Sequence, residues 1–426
     1  MKILCSGDLH LGRRSSRLPD GADARAHSAT TAWQALVELA IEQRVDLVAL
    51  SGDVVDRENR YFESFGPLER GIRRLGAAGI PTVAVAGNHD FDVLPKLAPS
   101  LGKSFRLLGA EGRWERVSIQ RDGKPALHLV GWSFPAEHVA GSPLAGFPAL
   151  PADGAPVLGL LHADLDASAS RYAPVTAGEL RAAGASFWLM GHLHTPRLHQ
   201  HPGAAPLLYP GSPQALDPGE PGAHGVWMVE LAAGRAPVAR HLPISTVRYD
   251  GVEVDVTGVT EHDDLDRRVA EAVRSHVQHV VEGGCGPLRH LSCRVRVTGR
   301  TPLHRSVETR LRDLLPQLDA EHGEVSGRVE RVEVATAPAA DLGELARASD
   351  APGVLARFVL ALDGGGIDEA HERLLADLAA RAAEVRRARP YQSLADPPPA
   401  PDELRALARR QALLLIDQLL AQKEAA

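Results

Sequence analysis

The 426 residues carry 47 Lys and Arg against 54 Asp and Glu, a formal net charge of −7. No overall positive field draws such a chain onto nucleic acid, so a role there needs a local basic groove, metal ions or a partner. A hydrophobic fraction of 44% can fill the cores of two or three domains, whereas Cys5, Cys285 and Cys293 are odd in number and lack zinc-like spacing.

The cysteines fit buried small hydrophobes in a reducing compartment. With neither a signal peptide nor a run of about 18 apolar residues, the chain is expected to be soluble and cytoplasmic, with no membrane contact. Ile3-Leu4-Cys5-Ser6-Gly7 reads as a buried strand that delivers Asp8 and His10. The loop behind it, Leu11-Gly12-Arg13-Arg14-Ser15-Ser16-Arg17, either holds phosphates through Arg13, Arg14 and Arg17 or is a solvated surface loop. Residues 28 to 43 space Trp33, Leu36, Val37, Ala40 and Ile41 as a helix packed on a sheet does. Strand 45 to 50 delivers Asp53 through Ser51-Gly52. A helix over 63 to 78 puts Phe65, Leu68, Ile72 and Leu75 on one face and ends at Gly79. Val83-Ala84-Val85-Ala86-Gly87 then delivers Asn88, His89 and Asp90. This alternation predicts a parallel sheet with right-handed crossovers.

From 105 to 133 the pattern shortens to smaller strands, with 126 to 132 the clearest, and the Pro/Gly-rich 141 to 156 reads as a loop. Val157 to Leu161 delivers His162, and Phe187 to Gly191 delivers His192 and His194. Leu207-Leu208-Tyr209 runs into Pro210-Gly211-Ser212-Pro213, and 225 to 231 is a late strand. From 246 the order becomes strand 252 to 256, helix 262 to 282, strand 291 to 297, helix 303 to 319 and strand 329 to 334, a small α+β domain free of the Asp/His signals. Residues 341 to 362, 367 to 388 and 401 to 423 read as helices, the last after the Pro397-Pro398-Pro399 linker. Leu404, Leu407, Leu414, Leu415, Leu419 and Leu420 give that last helix an apolar face in need of a partner. No internal repeat is evident.

Five apolar runs thus end in Asp, Asn or His, at the carboxyl edge where open α/β folds place ligands. Oxygen and imidazole donors without thiolate suit Mn, Fe, Zn or Mg. The candidate ligands Asp8, His10, Asp53, Asn88, His162, His192 and His194 are too many for one ion. Two ions about 3.5 to 4 Å apart would use them all, with Asp53 as the bridging carboxylate. Asp8-Leu9-His10 and His192-Leu193-His194 put alternate residues on one side of an extended backbone. Other residues have plainer readings. His128 is a satisfied core side chain, His199, His201 and His224 lie in loops, and Asp164 and Asp166 are supporting or solvated acids. Arg57 and Arg60 are surface charges, and Tyr61 and Phe62 pack.

Gly7-Asp8-Leu9-His10, Ser51-Gly52-Asp53, Gly87-Asn88-His89-Asp90, His162, Gly191-His192-Leu193-His194 and Tyr209-Pro210-Gly211-Ser212, in this order, resemble the signature of calcineurin-like metallophosphoesterases. Asp-Leu-His-Leu-Gly at the start, the small α+β domain and the helical tail resemble more narrowly the nuclease subunit of SbcCD-type complexes, an SbcD-type DNA repair exonuclease. The resemblance implies an α/β fold, an α+β sandwich with the calcineurin-like core in 1–245, an α+β capping domain in 246–338 and a helical tail in 339–426. It implies one divalent ion held by Asp8, His10, Asp53 and His194 and another by Asp53, Asn88, His162 and His192, with manganese the preferred metal. His89 then serves the scissile phosphate as a catalytic residue, with Asp90 holding its imidazole by a hydrogen bond. The implied partners are DNA and an SbcC-like coiled-coil ATPase docked on the tail, with a homodimer through helices of the first domain. One departure is that archaeal members carry a histidine three residues after the bridging Asp, where this chain has Asp56, read as capping the local turn. Two other functions compete: a small-molecule phosphodiesterase or phosphatase, and a metal-dependent scaffold of a DNA repair complex. The roughly 180 residues beyond the metal motifs argue against the first, and the intact His89 against the second.

Overall fold

The computed structural model describes residues 1–18, 21–57, 64–339, 341–364, 366–387 and 400–425. Arg60, Tyr61, Phe62 and Pro397 to Pro399 lie outside the described residues. The chain divides into two compact units. The first holds 1–252, 269–295 and 314–332, and the second holds 253–268, 296–313 and 333–426.

In chain order, the first 245 residues form β1 (Lys2–Ser6), α1 (Ala29–Glu42), β2 (Leu47–Ser51), α2 (Phe65–Ala77), β3 (Thr82–Val85), α3 (Leu94–Leu97), β4 (Phe105–Leu107), β5 (Glu115–Arg121), β6 (Lys124–Trp132), β7 (Val157–His162), α4 (Ala177–Ala183), β8 (Phe187–Gly191), β9 (Arg197–His199), β10 (Leu207–Tyr209), β11 (Gly225–Glu230) and β12 (Val238–Pro243). Among the described residues these strands make two six-stranded sheets, ordered β12-β11-β1-β2-β3-β4 and β5-β6-β7-β8-β10-β9. β1 through β4 run parallel, as the strand–helix alternation predicts, while β11 joins β1 antiparallel, pairing Lys2 with Glu230. In the second sheet β6, β7, β8 and β10 are parallel, and β5 and β9 are antiparallel edges.

The sheets face each other because both faces of their central strands are apolar. Ile3, Cys5, Leu47, Ala49, Val83 and Val85 of one sheet share a core with Leu127, Leu129, Leu158, Leu160, Phe187 and Leu189 of the other. The outer face of the first sheet is covered by α1 and α2, through Trp33, Leu36, Val37, Ala40, Leu68, Ile72 and Leu75. The outer face of the second packs Val130, Leu161, Trp188 and Met190 against Val175 and Leu180, the latter on α4. The result is a mixed α/β sandwich, helix–sheet–sheet–helix, whose central strands are buried on both sides and therefore read as continuous apolar runs. Local signals set the helix ends. Ser28 Oγ accepts from Thr31 N to start α1, and a reciprocal Thr176–Glu179 capping box starts α4, which Gly184 closes in the left-handed conformation.

Beyond 245 come β13 (Val247–Asp255), α5 (His262–Glu282), β14 (His290–Thr301), α6 (His304–Leu314), β15 (Ala320–His322) and β16 (Val325–Pro338), the strands ordered β13-β14-β16-β15. The tail holds α7 (Leu342–Leu345), α8 (Ala351–Gly364), α9 (Glu369–Arg387) and α10 (Pro401–Ala425). In place of one helix over 341 to 362 there are two, because Asp350 Oδ1 accepts from Gly353 N at 3.1 Å and caps a fresh start for α8. Ala356, Phe358 and Val359 of α8 pack on Ala408, Ala412 and Ile416 of α10. Among the described residues no helix is long and apolar enough to cross a membrane. All three cysteines are free thiols. Cys5 and Cys293 are buried as expected and Cys285 is half-buried.

Candidate metal centre

The loops that leave β1, β2 and β3 are laced together through their backbones. Asp8 N donates to Gly52 O at 3.0 Å, His10 N to Asp53 O at 2.9 Å and Leu11 N to Val54 O at 3.0 Å, which places Asp8 and His10 beside Asp53. From the next loop His89 N donates to Asp53 Oδ1 at 2.9 Å. The second sheet joins at the same edge, where Ser51 Oγ donates to Met190 O and His192 N donates to Asp8 Oδ1 at 2.9 Å. The approach is close enough to require glycine: a Cβ at Gly87 would stand 2.2 Å from Asp53 Oδ1, and one at Gly52 2.6 Å from His162 Nδ1. Asp8, His10, Asp53 and His192 hold positive φ angles of 48°, 47°, 50° and 100°. Left-handed backbone at non-glycine residues costs about 1–3 kcal/mol each and gathers where function demands it.

All seven expected donors meet. His10 Nε2 lies 3.0 Å from His194 Nε2, and Asp8 joins them within 4.8 Å. His162 Nε2 lies 3.0 Å from Asn88 Oδ1, which is 3.3 Å from His192 Nδ1. Between the two groups stands Asp53, whose Oδ2 is 3.7 Å from His10 Nε2 and 3.5 Å from His162 Nε2. Two imidazole nitrogens facing each other with no donor between them repel unless a proton or cation intervenes. Two donors each bonded at about 2.1 Å to one ion and at right angles across it stand about 3 Å apart, so the donor set fits divalent ions.

Each histidine is held by its other nitrogen, which decides which lone pair faces inward. His10 Nδ1 donates to Asp56 Oδ1 at 3.1 Å, His162 Nδ1 to Ser51 O at 3.1 Å and His194 Nδ1 to Glu220 Oε1 at 2.6 Å, while His192 Nε2 lies 3.3 Å from Asp164 Oδ1. Burial alone would raise the Glu220 carboxyl, but the His194 hydrogen bond and charge outweigh it and hold it at about 2. The His194 imidazole is raised in turn, since Glu220 and Asp8 overcome its burial. Burial also opposes ionisation of Asp53, yet His162 and His10 hold its carboxyl below the usual range. Asp164 thus has the supporting role expected of it. Asp56, read as capping the local turn, is 4% exposed, bonded to His10 and 3.8 Å from His89 Nδ1. Glu220 escaped sequence reasoning, because nothing in its Pro/Gly-rich loop distinguishes it.

The expected Asp90–His89 hydrogen bond is absent. Asp90 Oδ1 accepts from Gly87 N at 2.8 Å and Oδ2 from Val54 N and Val55 N at 2.7 and 3.2 Å, so this buried carboxylate splices two loops rather than orienting the ring. Burial and the Asp53 charge push it up to about 7, against the Gly87 and Val55 amides. His89 stacks edge-on against His10 with ring centroids 4.8 Å apart, and its Nδ1 has no hydrogen-bond partner among the described residues. Burial keeps the ring below its usual pKa despite the Asp53 charge. His128 is satisfied as expected, by Ser118 and Asp153. His199 ends β9 instead of lying in a loop, and His224 is buried against Ser212 O and Glu220 O. Arg57 is paired with Glu137. Arg13 and Arg14 line one cavity, while Arg17 lies 3.8 Å from Glu330 and lines another.

Oxygen and imidazole donors gather around one shared carboxylate at the carboxyl ends of a two-sheet α/β sandwich, an arrangement suited to divalent ions. Residues 1–196 match the family Calcineurin-like phosphoesterase, whose members use divalent metals. Residues 249–337 match Metallophosphoesterase YhaO, middle domain. The chain is 28% identical to the uncharacterized metallophosphoesterase YhaO of Bacillus subtilis over 55% of its own length and 58% of that protein. It is 26% identical to the DNA double-strand break repair protein Mre11 of Aeropyrum pernix over 60% of this chain and 64% of that one, and 24% identical to the Mre11 of Methanopyrus kandleri over 63% and 62%. Each alignment spans less than two thirds of the relative's own length.

Proposed function

We propose that the chain is a two-metal, manganese-dependent DNA nuclease of DNA repair, working with an SbcC-like coiled-coil ATPase. The observation that carries the hydrolytic part is the division of donors about Asp53, with His10, His194 and Asp8 on one side and His162, Asn88 and His192 on the other. Two divalent ions bound there supply an acidified water as nucleophile and neutralise the phosphate oxygens. Asp8, Asp53 and Asn88 orient that site through the oxygens they present, and Asp56, Glu220, Ser51 and Asp164 keep the four imidazoles aimed at it. His89 stands beside the cluster, its ring 4.8 Å from that of His10 and its Nδ1 without a hydrogen-bond partner among the described residues, placed to hydrogen-bond the phosphate as charge develops on it. The assignment to DNA is supported by the Mre11 relatives, themselves DNA double-strand break repair proteins by name. The ATPase partner is supported by the tail, where Leu360, Leu374, Leu407, Leu414 and Leu415 are exposed. Residues 246–338 serve in this proposal as the capping domain, and a homodimer belongs to it as well.

The test is hydrolysis by the full chain with manganese, on single- and double-stranded DNA and on a chromogenic phosphodiester. DNA degradation is expected. Turnover of the chromogenic diester with no cleavage of any DNA, with or without the ATPase, would instead favour a small-molecule phosphodiesterase.

A further inference from the structure

Several arginines of the first unit are matched by a carboxylate: Arg57 by Glu137, Arg73 by Glu69, Arg74 by Glu38, Arg106 by Glu115, Arg121 by Asp46 and Arg294 by Glu330. Another group is gathered in one place. Arg13, Arg14, Arg25 and Arg70 line a cavity of about 720 Å³ beside Thr31 and Gln34, and no carboxylate is among the described residues that line it. Among the described residues the guanidinium groups of Arg13, Arg25 and Arg70 make no ion pair. In a chain of net charge −7, so many cations sharing one depression repel each other unless an anion joins them.

The backbone adds to the same field. α1 and α2 both begin on this wall, and neither has an acidic residue in its own first turn to offset its partial positive end. The floor is tied to the metal centre: Arg13 N donates to His10 O at 2.9 Å, and Arg13 O accepts from Ala29 N at the start of α1. Gly12, which also lines the cavity, is two residues beyond His10, a span of at most about 7 Å of backbone.

We propose that this arginine-lined groove holds the backbone phosphates of a nucleic-acid strand whose scissile phosphate lies at the metal centre. This deepens the nuclease reading and rests on it. The guanidinium groups are spread around a depression that takes more than one phosphate, and they carry no base-reading pattern, so the grip is on backbone charge rather than sequence. In this proposal a short diester confined to the metals leaves Arg25 and Arg70 untouched, and a longer strand engages them.

The experiment compares the full chain with an Arg25→Ala/Arg70→Ala variant. Binding of a labelled oligonucleotide is followed by anisotropy in EDTA over a salt series, beside metal content and hydrolysis of a chromogenic diester. The variant is expected to bind more weakly, with a salt slope shallower by about 1.4 to 1.8 for two lost phosphate contacts, while metal content and diester turnover stay at the wild-type level. An unchanged affinity and slope overturns the groove. So does competition by inorganic phosphate at matched ionic strength that removes the difference between the proteins, which marks a small-anion site. A wild-type protein that hydrolyses the diester but cuts no DNA defeats the nuclease reading by a separate measurement.

Discussion

Replacing Glu220 by glutamine removes the acceptor that fixes the tautomer of His194. Glu220 Oε1 accepts from His194 Nδ1 at 2.6 Å, and Oε2 accepts from Leu216 N at 2.9 Å and Ser212 Oγ at 3.2 Å. An ionised carboxylate can only accept, so the proton stays on Nδ1 and the Nε2 that faces His10 is left bare for a metal. With its carboxyl held at about 2, Glu220 is ionised at every practical assay pH. Glutamine fills the same volume, but its oxygen is claimed by Leu216 N and Ser212, so the amide donor turns to Nδ1. The ring then moves its proton to Nε2 and ceases to be a ligand. Alanine leaves Nδ1 to water, which accepts as readily as it donates. Losing such an anchor costs 10–100-fold in metal affinity, about 1.4–2.7 kcal/mol, and Glu220→Gln is expected at the upper end with Glu220→Ala below it. Manganese titration by calorimetry on purified protein reads the difference directly. Wild-type affinity in both variants, or glutamine binding metal better than alanine, would refute the tautomer argument.

His89→Ala is expected to keep the metal content of the wild type while kcat on a phosphodiester falls by about 10²–10⁴, and loss of metal along with activity would mean that His89 is a ligand. Asp90→Ala strips the partner from three buried amides, each worth about 1–3 kcal/mol when left unsatisfied, so urea unfolding should show a loss of at least about 3 kcal/mol; a near-neutral result contradicts the splicing role. His241 stacks on Trp227 with centroids 5.0 Å apart, and burial, helped by His224, lowers it from 6.5 to about 4. The unfolded chain binds that proton first, so this contribution is complete above pH 6.5 and is lost as pH falls toward 4, by up to about 3 kcal/mol. His241→Phe should flatten the unfolding free energy over that window, and an unchanged slope argues against the assignment.

The site was more legible than its support. Asp8, Asp53, His162 and His192 each follow a run of residues too apolar for any surface, and a polar group at the end of a buried strand has to meet something. The residues that aim them left no such trace. Glu220 sits in a loop of prolines and glycines, Asp56 looks like a turn residue, and each gains its meaning only where distant loops meet. Asp90 misled for the same reason, since its neighbours in sequence suggest His89 while its partners Val54 and Val55 come from another loop. In the fold, α4 announced itself through Thr176 and Glu179 three residues apart and was overlooked because only Leu180 of its seven residues is buried. β9 and β12 are edge strands with few buried residues, and a half-exposed edge carries little of the apolar pattern that marks a central strand.

The claim on which everything rests is that Asp53 is shared between two cations. Elemental analysis of the full chain equilibrated with manganese and freed of unbound ion measures this directly, together with Asp53→Ala. Two ions per chain are expected for the wild type, with both sites weakened by the single substitution. One ion per chain, or a variant that loses one ion and holds the other at full affinity, would contradict it.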